Sequence, residues 1–141
     1  MESLDKFRPW FYAAAAYNAL WGALVVLWPE AIYHWVGLGP PTDIALFQCV
    51  GMIVGVYALG YWMIARDPLR FGPFVYIGLL GKILGPIGFV WAAMHGKMPW
   101  EFGWINVMND LFWLPAFILF AVRLRAIEKR MAEVGCREVV K

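Results

Sequence analysis

The chain has 141 residues, 62% of them hydrophobic and only 16% charged, with a formal net charge of +2. Soluble domains are about 45–50% apolar and about 25% charged, and one this short leaves much of its surface in water, so a water-soluble globule is excluded and lipid is the natural solvent. The small net charge, with no basic patch interleaved with aromatics, excludes a nucleic-acid surface.

Four apolar runs follow along the chain, about Pro9 to Trp28, Ile44 to Ala65, Phe71 to Met94 and Gly103 to Val122. Each is close to the roughly 20 residues a helix needs to cross hydrocarbon, and helices satisfy their backbone groups internally. The pattern predicts an all-α integral membrane protein, a bundle of four transmembrane helices forming one domain over residues 1–141. The first run is longer than a signal-peptide core and lacks a clear small-residue cleavage site, so it is expected to remain as a span.

The connections differ in kind. Pro29 to Asp43 holds Ala31-Ile32-Tyr33-His34-Trp35-Val36 between prolines and glycines, which fits a short helix lying on the membrane surface. Arg66-Asp67-Pro68-Leu69-Arg70 reads as a tight turn with its break at Pro68. The third link, His95 to Phe102, is short. From Arg123 onward the tail is charged and reads as the fourth helix continued into water.

Lysines and arginines mark the sides. Lys6 and Arg8 precede span one, Arg66 and Arg70 flank the second link, and Arg123, Arg125, Lys129, Arg130, Arg137 and Lys141 fill the tail; the first link has none and the third only Lys97. The positive-inside rule then predicts both termini and the Arg66–Arg70 turn in the cytoplasm. Trp10, Trp28, Trp35, Trp62, Trp91, Trp100 and Trp104 fall near span ends, where interfacial anchoring explains them. Trp21 and Trp113 lie deeper.

Small residues suggest packing faces. Gly51-x-x-x-Gly55 lies in span two, and Gly78, Gly81, Gly85 and Gly88 share one face of span three. Such spacing lets helix backbones approach closely in lipid, and a packing groove accounts for them.

The candidate site lies among intramembrane polar residues. Lys82 is mid-span, where a lysine costs about 2.5–3.5 kcal/mol on insertion scales and by default faces the interior, a partner and a function. Asn106, Asn109, Asp110 and Trp113 recur at helical spacing in span four. The helix rise puts Asp110 roughly 12 Å and Lys82 roughly 18 Å below the outer ends of their spans, within reach of a lysine side chain. A Lys82–Asp110 ion pair is expected, and Pro86, lacking an N–H for the Lys82 carbonyl, adds a free acceptor beside it. Asn18 and Gln48 would join from spans one and two, although an Asn or Gln in a span also serves simply as helix-to-helix glue. Glu30, His34 and His95 lie near the outer mouth; the histidines have no metal-ligand spacing, and no cofactor is evident.

The cysteines, Cys49 in a span and Cys136 in the tail, are expected on different levels and unpaired. They form no CxxC motif.

Several runs together resemble a known group: Tyr17-Asn18-x-x-Trp21-Gly22, Gln48-Cys49-Val50-Gly51-Met52, Gly81-Lys82-x-x-Gly85-Pro86-x-Gly88-Phe89 and Asn109-Asp110-Leu111-x-Trp113. Over about residues 9–120 the chain resembles small uncharacterised bacterial membrane proteins, some labelled "alkyl hydroperoxide reductase". More loosely, its layout is similar to the DoxX-like four-helix proteins, named from a quinol oxidase subunit. The resemblance implies a multi-pass protein of the bacterial inner membrane. The label implies a reactive thiolate, for which the chain offers Cys49 and Cys136.

Three functions compete. In the first, a lipid-like, isoprenoid or quinone ligand enters between helices, its polar head meeting Lys82, Asp110, Asn109, Asn18 and Gln48 and its apolar part Trp21 and Trp113. Any chemistry would use Asp110 or Lys82 as acid or base. In the second, the chain is a non-catalytic subunit whose glycine faces meet partner membrane helices or a second copy. In the third, the polar residues form the path of a proton-coupled carrier.

Overall fold

The computed structural model describes residues 3–139, and side chains through residue 134. The expectations placed on the side chains of Cys136, Arg137 and Lys141 therefore lie outside the described residues. The described residues are helical, with no strand. Four helices among them are long and apolar enough to cross a membrane: Leu4–Leu27, Ile44–Arg66, Phe74–Met94 and Trp100–Val134.

Local signals set the boundaries. A 3-10 turn, Leu4–Phe7, leads into α1, Arg8–Leu27, with Pro9 in the first turn where its missing N–H costs nothing. Trp28 departs from helical geometry and Pro29 opens α2, Pro29–Trp35. Gly37 ends α2 at φ +75°, where the Leu38 N–H donates to the Tyr33 carbonyl at 2.8 Å, a left-handed cap that a glycine takes without strain. Asp43 caps α3, Ile44–Arg66, its carboxylate accepting from the Leu46 N–H at 2.9 Å. Beyond Arg66, Asp67 accepts from the Arg70 N–H at 3.1 Å and tightens the turn into α4, Phe74–Met94. The segment expected on the membrane surface is α2. Its Ile32 is buried with Val25 and Phe47, so α2 closes one end of the bundle.

The fourth long helix is not uniform. A 3-10 turn, Trp100–Phe102, leads into α5, Gly103–Asn106; Val107–Leu111 is a π-helical turn, and α6 runs Leu114–Val139. The Phe112 N–H reaches back five residues to the Val107 carbonyl at 3.0 Å. Pro115 lies just beyond and has no N–H for the Leu111 carbonyl, so a regular ladder cannot pass through this point.

The helices pack unequally. On α1 a Cβ at Gly22 would stand 2.7 Å from the Gly51 carbonyl oxygen and 2.9 Å from the Gly55 Cα. The Gly51-x-x-x-Gly55 face of α3 therefore meets the backbone of α1, the close approach small residues allow. Near the Arg66–Phe74 turn, Phe11, Tyr61, Val75, Phe117, Phe120 and Leu124 form the buried core. Phe74 fills the junction of α3 and α4, its ring 6.1 and 6.3 Å from those of Tyr57 and Tyr61. Above that junction α3 and α4 part.

A candidate polar site in the bundle interior

The face of α4 that carries Lys82 alternates small and large. At Gly78 a Cβ would meet the Tyr61 ring at 2.9 Å, and at Gly85 it would meet the Asp110 carboxylate at 2.8 Å. One turn below Lys82, glycine makes room for a phenol; one turn above, it makes room for a carboxylate. The glycines expected to form a helix-packing groove here instead admit side chains from α3 and the π turn. At Gly88 a Cβ would meet nothing within 4 Å.

Lys82 itself is 4% exposed. Its ammonium donates to the Asn109 carbonyl at 2.5 Å and lies 3.7 Å from the Asp110 carboxylate. It also stands 5.8 Å from the Tyr61 ring centre and 5.6 Å from that of Phe117, within the range in which an aromatic face attracts a cation. The pair expected from the sequence is thus present, joined by a carbonyl and two rings.

The π turn supplies that carbonyl. Widening the helix by one residue takes carbonyls out of the regular ladder, and two of them are claimed by side chains. The Trp113 indole N–H donates to the Met108 carbonyl at 3.0 Å, and Lys82 takes that of Asn109. The side-chain oxygen of Asn109 is buried without a hydrogen-bond partner, a condition that usually costs about 1–3 kcal/mol unless a ligand or water meets it.

Beside this cluster lies a cavity of about 320 Å³. Lys82, Asp110, Asn109, Asn106 and Asn18 supply its polar lining. Its apolar lining includes Trp21 and Phe47 towards the α2 end, and Tyr57 and Tyr61 towards the core. Asn18 is 4% exposed and makes no side-chain hydrogen bond among the described residues. Of the lining residues on α3 and α4, Val50, Ile53, Gly81 and Gly85 are exposed while Lys82 is buried. The cavity therefore opens sideways, between α3 and α4.

The sequence candidates divide. Lys82, Asp110, Asn109, Asn18 and Trp21 line the cavity; Gln48 and Trp113 do not. Gln48 donates from its amide to the Val26 carbonyl at 2.8 Å, tying α3 to α1. Trp113 is buried against Tyr17, Trp10 and Phe112 and holds the π turn through Met108. Cys49, exposed on α3, does not line the cavity either. Glu30, His34 and His95 lie off the cavity, and the His95 ring stacks on Trp91. Among the described residues no three His, Cys, Asp or Glu gather as a metal ion would require. Tyr57 and Tyr61, not singled out from the sequence, carried a signal in their spacing of four, which puts both phenols on one face of α3.

Compared with known proteins, the chain matches no family model, no curated protein and no solved structure. The functional reading accordingly rests on the geometry of this site.

Proposed function

We propose that this is a multi-pass membrane protein that binds a lipid-soluble small molecule, of lipid-like, isoprenoid or quinone type, in the cavity beside Lys82 and Asp110. The polar head would lie against Lys82, Asp110, Asn109 and Asn18, and the apolar part would leave between α3 and α4. One observation carries this reading: a cavity of about 320 Å³ with its polar groups at the inner wall and its exposed lining on the flank of the bundle. Sites for small molecules are mostly apolar, with a few converging polar groups. The orientation proposed is both termini in the cytoplasm of a bacterial inner membrane, supported by the gathering of Lys and Arg at the end opposite α2.

A second reading is favoured by the exposed glycines Gly81 and Gly85 along the opening. A helix of a partner subunit seated there would close the cavity, and the chain would then be an accessory subunit of a larger complex.

Native mass spectrometry from nanodiscs decides between them, with wild type beside Lys82→Met, Asp110→Asn and Gly81→Leu. At Gly81 a Cβ meets only the Tyr57 phenol, at 3.6 Å, so leucine would block the opening without displacing backbone. A small molecule retained by wild type and lost in all three variants is the expected result. A stoichiometric protein partner in wild type, lost in Gly81→Leu alone, would establish the second reading.

A further inference from the structure

We infer that the occupant is an uncharged amphiphile whose head both donates and accepts hydrogen bonds, held with its chain passing out between α3 and α4. This rests on the ligand-binding reading above and narrows it to one class.

The charge argument comes first. Lys82 and Asp110 are the ionisable Lys, Arg, Asp or Glu side chains of the lining, and they are paired at 3.7 Å. Their formal charges cancel. An anionic head such as a phosphate or carboxylate would either pull Lys82 from Asp110 or lie beside the carboxylate as a second negative charge. In an interior of low dielectric, breaking a buried pair is strongly unfavourable because one charge is left uncompensated. A cationic head meets the mirror-image penalty. An uncharged head leaves the pair intact.

Hydrogen bonding then narrows the head. Asn18 lines the cavity, and its buried side-chain amide makes no hydrogen bond among the described residues, so its oxygen calls for an O–H or N–H from the head. The same amide donates as well as accepts, and the Lys82 ammonium holds three protons, of which the Asn109 carbonyl takes one. A hydroxylated head satisfies both kinds of partner; a purely accepting head leaves the Asn18 oxygen unmet. The volume sets the size. About 320 Å³ is near the lower end of the roughly 300–1,000 Å³ typical of small-molecule sites, room for a head and the start of one chain.

The test uses the full chain in phosphatidylcholine nanodiscs doped with equal amounts of monooleoylglycerol, oleate and oleylamine, three probes sharing one chain length and differing in head charge. Retained probe is read by native mass spectrometry for wild type, Gly81→Leu and Asp110→Asn. Wild type should retain monooleoylglycerol over either charged probe by about tenfold or more, and Gly81→Leu should retain none. Asp110→Asn, whose lining carries one net positive charge, should shift towards oleate. Retention of oleate or oleylamine by wild type in preference would overturn the uncharged class and leave the ligand-binding reading standing. Retention of no probe above the Gly81→Leu background would overturn both. Should Asp110→Asn fail to fold, wild type against Gly81→Leu still decides.

Discussion

Replacing Lys82 by methionine keeps the length of the side chain and removes its charge. Asp110, whose side chain is 19% exposed, then loses its cation, and the Asn109 carbonyl loses its donor. Stranding one member of a buried pair costs about 3–5 kcal/mol, and an unmet buried carbonyl adds about 1–3 kcal/mol. In the double variant Lys82→Met/Asp110→Asn the stranded charge is gone and only the carbonyl is unmet, at about 1–3 kcal/mol. The double variant should therefore be more stable than Lys82→Met alone, by about 3 kcal/mol. Unfolding in mixed micelles of rising dodecyl sulfate fraction, followed by far-ultraviolet circular dichroism, measures the order. A double variant less stable than the single one would refute the reasoning, because the 3.7 Å pair would then carry no coupling.

Trp113→Phe removes the indole donor from the Met108 carbonyl and should cost about 1 kcal/mol in the same titration; a change indistinguishable from zero would show that water replaces the indole there. Pro115→Ala restores an N–H for the Leu111 carbonyl and should relax Val107–Leu111 towards α-helix, read from backbone carbon-13 shifts at residues 107–111; unchanged shifts would mean that side chains, not the proline, impose the wide turn. Gly22→Ala drives a methyl to 2.7 Å from the Gly51 carbonyl oxygen and should cost about 1–3 kcal/mol. Gly88→Ala meets open space and should gain about 0.5–1 kcal/mol through helix propensity; equal effects at the two glycines would contradict the packing described for α1 and α3.

The four long helices were legible because the apolar run a bilayer demands is long and hard to produce otherwise. The Lys82–Asp110 pair was legible for a related reason: an ionised group at mid-span requires a partner, and the sequence offers few. Glycine roles were legible only in part. Spacing says which glycines share a face, not what stands opposite, so Gly55 meets the α1 backbone at Gly22, Gly51 meets that backbone and the Val25 side chain, and Gly78 and Gly85 admit side chains from α3 and the π turn. Gln48 and Trp113 escaped for another reason. Each donates to a backbone carbonyl, Val26 in one case and Met108 in the other, and the Met108 carbonyl is left free only by an irregular turn. Pro115 was the visible trace of that irregularity: a proline inside an apolar run breaks the period on which the reading of Asn106, Asn109, Asp110 and Trp113 as one regular stripe relied.

The parting of α3 from α4 has a consequence for how occupancy is set. On the proposed ligand-binding reading, a cavity reached through the flank of the bundle would exchange with the acyl phase, so its occupant would compete with lipid and not with water. The controlling quantity is then the mole fraction of ligand in the bilayer or micelle. A strongly partitioning compound can fill such a site with modest intrinsic affinity, and adding empty micelles will drain it even when the aqueous concentration is unchanged.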